Sequence, residues 1–349
     1  MRAKVPSVSG CEGLRFGHLA SVLLFARTSV PDAMEVSKSI EKKSLTLQIP
    51  GSTSNLGPGF DTLSLALCIY THMRFEILPH NDISIPFVTL KGAVAKRSES
   101  NDQGRLIYSL LSKLWQDDRE LLQRLRIVLH SDIPLGCGVG GTATAVLGCL
   151  WASYALKDIV PTRRLLLAEG TALEGHPENL AASLLGKMVV CSRSADGASY
   201  VTQQHNWPEK WVTIIVIPSY TLTTAQARAI LPKKIPFEDA VLNIQRTALL
   251  VSAVANCDEG AMKEALHDRL HEQYRDRLVP ELGQLRRHLA DQPIIGCVLS
   301  GGGSSVLIIV NQAHKDEVLG SLNQWNESHG GQSTIFDLKV DNEGICEVP

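Results

Sequence analysis

The segment at residues 133–145, IPLGCGVGGTATA, constrains this chain more than any other. Four glycines fall within six residues, at 136, 138, 140 and 141. An alternating apolar stretch at 125–129 precedes them, and an Ala-rich stretch at 142–154 that reads as a helix follows. Glycine lets successive backbone N–H groups turn toward one point, and a helix start adds unpaired N–H groups and a positive dipole end. Such a strand–loop–helix unit makes a cradle for phosphate oxygens. The competing reading is a merely flexible turn. Thr142, at the helix start, can cap the helix or offer its hydroxyl to a metal ion. Gly136, Gly138 and Gly141 satisfy the dinucleotide spacing G-x-G-x-x-G, but Asp158 follows a helix directly, and no strand carries the ribose-binding acid. No lysine follows the glycines, so the G-x-x-x-x-G-K-[ST] loop is excluded as well.

A length of 349 residues suggests about two domains. With 44% hydrophobic and 20% charged residues the chain can bury a core and is not disordered. The 34 Lys and Arg against 36 Asp and Glu leave no basic footprint for nucleic acid, and no apolar run reaches the length of a membrane span. The eight cysteines form no C-x-x-C pair and no zinc spacing, so they read as buried small hydrophobes in a reducing compartment. Residues 1–40 read as an N-terminal extension, poorly ordered, with an apolar run at 19–26 that lacks a cleavage site. A transit peptide, or an upstream start with Met34 as the working one, remains open.

Period-2 alternation marks strands at 45–49, 73–77 and 125–129, and apolar runs mark others at 187–191, 211–217, 294–299 and 306–310. Helical spacing covers 105–115, 142–154, 162–174, 224–230, 237–256, 259–271, 280–290 and 315–325. Strands and helices are mixed rather than strictly alternating, which favours an α+β class over a doubly wound sheet. The polar stretch 194–210 is the expected boundary between domains at 44–205 and 210–349.

Four segments in one order carry a resemblance. Residues 50–67 (PGSTSNLGPGFDTLSLAL) resemble the first motif of homoserine kinases, in the GHMP small-molecule kinase superfamily. Residues 134–145 resemble that superfamily's P-x-x-x-G-L-G-S-S-A loop, 174–181 (EGHPENLA) resemble E-G-H-P-D-N-V-A, and 299–307 (LSGGGSSVL) resemble S-G-A-G-P-S. The resemblance implies an N-terminal domain with a left-handed βαβ crossover, a ferredoxin-like C-terminal domain and an active site between them. It implies transfer of the ATP γ-phosphoryl group to the hydroxyl of L-homoserine with Mg²⁺, in the cytoplasm, on the way to threonine. It places the ATP phosphates on Pro134, Leu135, Gly136, Cys137, Gly138, Val139, Gly140, Gly141 and Thr142.

A small zwitterion with one hydroxyl needs a cation, an acceptor and polar groups fixing the hydroxyl. The resemblance assigns Asn55, Asp61, His176 and Thr224 to substrate. It also assigns Arg228, in TAQARAILP, and Arg275, in HEQYR, as bidentate partners of its carboxylate. His176 and Asn179, three apart, would share one helical face. Metal binding is expected from Thr142 and Glu174, with Glu169 as second choice and helix exposure as its alternative. Asn179, Glu174 and Thr142 are the expected catalytic set; with Asn179 where related kinases carry Asp, the hydroxyl proton would leave to phosphate or water. Departures from the family pattern are Gly141 for the first Ser, Val139 for Leu, Glu178 for Asp, and Gly302 and Ser304 for Ala and Pro. A kinase for another alcohol or a non-catalytic binding homologue stays open. The sequence is compatible with a homodimer and does not fix the oligomeric state.

Overall fold

The computed structural model describes residues 43–349 apart from 83, 98–101 and 135. The expected extension at 1–40 and Leu135 therefore lie outside the described residues. Strand β1 (Ser44–Ser54) buries Leu45, Leu47 and Ile49 and turns Thr46 and Gln48 partly outward, as its alternation requires. It pairs antiparallel with β2 (Leu63–Ile77), and the register shifts at Pro50/Gly51, where proline cannot donate to the ladder. Strand β3 (Val88–Gly92) lies parallel to β4 (Leu125–Ser131) and reaches it through helices Ala93–Arg97, Asp102–Leu114 and Arg119–Arg124. Strand β5 (Met188–Arg193) pairs with the start of β2 and with β6 (Tyr200–His205).

A second sheet holds β7 (Trp211–Ile217), β8 (Ile294–Leu299), β9 (Val306–Asn311) and β10 (Thr334–Leu338), in spatial order β10-β7-β9-β8 and antiparallel throughout. Helices connect its first strand to its second and its third to its fourth, which is the ferredoxin-like pattern. The chain then returns. Strand β11 (Cys346–Val348) pairs with β1 at the edge of the first sheet. The class is α+β, as expected.

Several expectations need correction. The 194–210 stretch is not all connection: Tyr200–His205 pairs along its whole length with β5. Its sequence, YVTQQH, offers a single aliphatic residue, Val201, which points to solvent, so the usual alternation signal is missing. The helix expected over 259–271 stops at Ala265. The Asp268 carboxylate there accepts the N–H groups of Leu270, His271 and Glu272 and draws the backbone out of the helix. A separate turn of helix, Glu272–Arg275, follows. Of the seven described cysteines, Cys137, Cys149, Cys191 and Cys297 are buried and Cys257 is exposed. Burial pushes the Cys191 and Cys297 thiols up to about 12.

Candidate active site

The loop after β4 runs through Gly136, Gly138 and Gly140, all with positive φ, into helix Gly141–Ala155. A Cβ on Gly138 would lie 2.3 Å from the Ser300 carbonyl, and one on Gly140 would lie 2.4 Å from Ser52 Oγ, so no larger residue fits either position. Cys137 and Val139 alternate with these glycines and point into the core. The glycine backbone is thereby left facing a cavity of about 220 Å³. Helix Gly141–Ala155 has no side-chain cap, so its first N–H groups stay open toward the cavity. Thr142, exposed on the first turn, lines the cavity but does not cap the helix. Pro134 and Val139 are buried and lie off the cavity wall; they shape the loop rather than line it.

The third glycine turn braces this loop. Ser300 Oγ donates its one proton to the Gly138 carbonyl at 2.7 Å and accepts from Thr53 Oγ1 at 2.9 Å. Ser305 N–H donates to the Cys137 carbonyl at 3.0 Å, and Gly301 N–H to the Ser54 carbonyl at 3.1 Å. These bonds lock three glycine- and serine-rich segments into one wall. Sequence reasoning did not give Ser300 a role, because its partners lie far away in the chain.

The opposite wall carries charge. Arg228 grips Asp61 with both nitrogens, at 2.6 and 3.0 Å. Burial opposes the Arg228 charge, but the Asp61 carboxylate outweighs it and raises the pKa. The Phe60 ring lies 5.4 Å below both the Arg228 and the Arg275 guanidinium. Arg275 is 2% exposed and donates to the carbonyls of Ala227 and Gly301 and to His271 Nδ1, with no carboxylate at ion-pair distance among the described residues. Burial first, and Arg228 second, bring its pKa down to about 10. His271 Nε2 faces the Gly57 carbonyl at 2.9 Å, so its proton sits there and Nδ1 accepts from Arg275. Asn55 lines the cavity, yet its amide is engaged at both ends: Nδ2 donates to the Gly301 carbonyl and Oδ1 accepts the Asp61 N–H. These two bonds brace the loop and leave the amide one further donor and one further acceptor position. Thr224 lines the same cavity at the start of helix Thr224–Ala229, behind the capping box of Thr223 and Gln226.

The floor comes from the turn between helices Arg163–Glu174 and Glu178–Leu185. His176 sits in that turn, before the second helix begins, so it shares no helical face with Asn179 as the spacing had suggested. Its Nδ1 lies 3.1 Å from Glu178 Oε1. Burial works against the imidazolium, but this carboxylate prevails and raises the His176 pKa. Asn179 is held by Ser52 Oγ on its oxygen and by Ser54 Oγ on its nitrogen, each at 3.0 Å. Glu174 Oε2 is buried with no hydrogen-bond partner. Burial pushes the Glu174 carboxyl up to about 7, against the pull of His176 and with the push of Glu178. Glu169 lies off the cavity, 8% exposed and bonded to the Tyr154 hydroxyl at 2.8 Å, so it is neither a second acid at the site nor an exposed helix residue. A partnerless buried carboxylate oxygen and a free-standing threonine hydroxyl on one cavity fit a single cation with few protein ligands.

Two family models match this chain, "GHMP kinases N terminal domain" over residues 105–187 and "GHMP kinases C terminal" over residues 250–328. The homoserine kinase of Solibacter usitatus is 34% identical over 300 residues, covering 86% of this chain and 95% of its own. That of Desulfitobacterium hafniense is 31% identical over 302 residues, covering 86% and 99%. The chain belongs to the homoserine kinase family. A crystal structure of homoserine kinase from Cytophaga hutchinsonii superposes with a TM-score of 0.74 at 22% identity, over 89% of this chain and 99% of that one. A mevalonate kinase from L. major in complex with R-mevalonate shares the fold, with a TM-score of 0.67 at 15% identity, over 88% and 100%.

As a GHMP kinase the chain is an ATP-dependent phosphotransferase, and its departures from the family pattern acquire physical meaning. At Gly141 an added Cβ would meet only Ile133 at 3.6 Å and the Pro134 carbonyl at 4.0 Å, so the missing serine leaves open space and no distortion. Ser304 turns its hydroxyl to the Tyr220 carbonyl at 3.1 Å, a bond that proline could not make. Glu178 reaches both His176 and Asn179. Among the described residues no helix is long and apolar enough to cross a membrane.

Proposed function

We propose that this chain transfers the γ-phosphoryl group of ATP to the side-chain hydroxyl of L-homoserine, a cytoplasmic step toward threonine. The observation that carries the substrate is the Asp61–Arg228 pair, a carboxylate and a guanidinium closed on each other at the cavity. An α-amino acid presents the same two charges in the reverse sense. Inserted between them, its ammonium meets Asp61 and its carboxylate meets Arg228, so one ion pair becomes two. Phe60 lies under both the Arg228 and the Arg275 guanidinium, and Arg275 lines the same cavity as a second cation for the carboxylate. His176, inclined to stay charged beside Glu178, adds a second donor on the floor.

Asn179, clamped by Ser52, Ser54 and Glu178, keeps one lone pair of Oδ1 to accept the substrate hydroxyl. The loop from Gly136 to Thr142 turns its N–H groups to the phosphate oxygens, with Ser300 holding the Gly138 carbonyl away from them. Glu174 and Thr142 would hold Mg²⁺, which when bound supplies charge neutralisation at the phosphates. Phosphoryl transfer through a loose transition state needs positioning and charge more than a strong base. The hydroxyl proton accordingly leaves to phosphate or water. A coupled ADP-release assay across homoserine, mevalonate, galactose and shikimate tests the reading. Turnover confined to homoserine supports it; turnover with another alcohol, or with none, overturns it.

A further inference from the structure

Strand β1 ends between the phosphate loop and the helix that carries Asn179. Its Ser52 N–H donates to the Val139 carbonyl at 3.3 Å, and its Ser54 carbonyl accepts the Gly301 N–H at 3.1 Å. Ser52 and Ser54 stand two residues apart on a strand, so they face the same side, and Asn179 lies on that side. Ser183, buried on the Asn179 helix, completes a row of hydrogen bonds. Ser183 Oγ donates to Ser52 Oγ at 3.2 Å, Ser52 Oγ to Asn179 Oδ1 at 3.0 Å, and Asn179 Nδ2 to Ser54 Oγ at 3.0 Å. The direction of this row is fixed at Asn179. Glu178 Oε1 lies 3.3 Å from Asn179 Nδ2 and 3.1 Å from His176 Nδ1. A carboxylate only accepts, so the amide nitrogen has to face it; the flipped amide would set oxygen against oxygen. Oδ1 therefore faces Ser52 and takes that hydroxyl's one proton, which leaves Ser52 to accept from Ser183. At the other end Ser54 Oγ accepts from Nδ2, and its own proton has no acceptor among the described residues. Ser54 is 1% exposed and lines the cavity with Gly138, Gly140, Asn179 and Gly301. A Cβ on Gly301 would lie 3.3 Å from both Ser54 Oγ and the Gly138 carbonyl, so this hydroxyl stands between the phosphate loop and Asn179.

With homoserine as the acceptor, on which this inference rests, we propose that Ser54 is a further catalytic residue. Its hydroxyl donates to a non-bridging oxygen of the phosphoryl group as that group passes from ATP to homoserine. The bond from phosphorus to the ADP oxygen breaks, the bond to the homoserine oxygen forms, and the Ser54 proton stays on Ser54 throughout. The homoserine proton leaves to phosphate or water. Asn179 Oδ1 receives the attacking hydroxyl, and Ser54, bonded to the nitrogen of the same amide, reaches the group under attack. A loose transition state spreads its charge over three equatorial oxygens. A donor already fixed to meet one of them costs no reorganisation at the moment of reaction. The row from Ser183 supplies that fixity, because the lone pair taken by Asn179 turns the Ser54 O–H away from the amide.

Steady-state kinetics of the full chain test this. In Ser54→Ala, kcat should fall by about ten- to a hundredfold, the worth of one hydrogen bond to a charged oxygen. The KM for homoserine and for ATP should each stay within about threefold of wild type, because the bond is made in the transition state. Ser54→Cys fills the same place with a weak donor and should fall nearly as far. A role confined to holding Asn179 would also lower kcat, so a spectroscopic readout separates the two. In the complex with ADP, trifluoromagnesate and homoserine, each fluorine stands for one phosphoryl oxygen, and its NMR resonance reports the donors it meets. Ser54→Ala should move one fluorine resonance and leave the others in place. Unmoved resonances, a wild-type kcat in Ser54→Ala, or a KM that rises while kcat holds overturns the proposal and leaves homoserine as the acceptor. A wild type without homoserine turnover overturns the acceptor, and this role of Ser54 with it.

Discussion

Arg228 and Arg275 carry the same charge and sit over the same phenylalanine, yet their surroundings ask different things of them. Arg228 is about a third exposed and held by a carboxylate, whereas Arg275 is sealed in and held by carbonyls and a histidine. Arg228→Ala should leave the fold intact and raise the KM for homoserine by about tenfold or more, the lower end of the loss for one partner of a charged pair because water reaches the site. ATP affinity by calorimetry should hold. Arg275→Ala also strands the Ala227 carbonyl and His271, so it should cost about 2–4 kcal/mol of stability in urea titrations in addition to its effect on KM. Equal thermodynamic stability of the two variants would contradict this division. The floor predicts a pH dependence of stability. Glu174 has its pKa raised to about 7 in the folded chain, so the fold binds its proton more tightly than the unfolded chain does. That contribution is present below the ordinary carboxylate range and is lost as pH rises toward about 7. The raised His176 has the same sign, its contribution being lost as pH climbs past the ordinary histidine value. Stability of the cation-free protein should therefore fall between pH 5 and 8, and Glu174→Gln should flatten that fall. A variant with an unchanged pH slope would show that the carboxylate is better solvated than its buried oxygen implies.

At the scale of elements, the three glycine-rich segments were legible in the sequence and their mutual dependence was not. Strand, turn formers and helix stand next to each other in the chain, so local pattern locates the loop at 136–142. The bonds from Ser300 to Gly138 and from Ser52 to Asn179 join residues 162 and 127 positions apart, and no local signal encodes them. Glu169 and Glu174 show the same limit: both sit on one helix, and only packing tells which faces the cavity. This alters what a glycine substitution tests. Sequence reasoning suggests that Gly140→Val blocks nucleotide with the fold retained. The structure puts the new side chain against Ser52, the residue that holds Asn179, and at a φ of +72° that valine resists. Gly140→Val should thus lower thermal stability and impair homoserine and ATP use together. Gly141→Ser is the discriminating change. The position has room, and the serine restores a hydroxyl beside Thr142. We expect an unchanged melting temperature and a KM for ATP lowered by a few-fold, about the worth of one hydrogen bond near 1 kcal/mol. A higher KM would mean that the open space at Gly141 is itself used by the nucleotide. Ser300→Ala should act in the opposite direction, raising the KM for ATP by about fivefold through a loosened loop.

At the scale of the whole molecule, two groups of apolar strands were legible in the sequence, and the structure builds a sheet from each, with β6 and β11 added to the first. Less legible was how little the two parts can do without each other. One buried cluster draws Leu56, Leu63, Leu65, Leu67 and Ile133 from the first part, and Ile215, Leu250, Val298 and Leu307 from the second. The tail then crosses back, bridging Leu67 to Val340 and pairing Cys346–Val348 with β1. A chain cut at residue 205 would expose all five of the first set. At about 1.5–3 kcal/mol for each large apolar side chain, that loss is roughly 7–15 kcal/mol, as large as the whole stability of an ordinary domain at about 5–15 kcal/mol. A fragment of residues 43–205 should accordingly show no cooperative urea transition, although it holds the entire phosphate loop and Asn179. The intact chain should unfold in one step, with tryptophan fluorescence and far-UV circular dichroism coincident, since Trp115 and Trp151 report from one part and Trp211 and Trp325 from the other. ATP and homoserine together should move that single midpoint upward, because their site is walled by both parts and neither part holds it alone. Two separated transitions, or a fragment that melts cooperatively and binds ATP, would mean that the shared cluster contributes packing without cohesion.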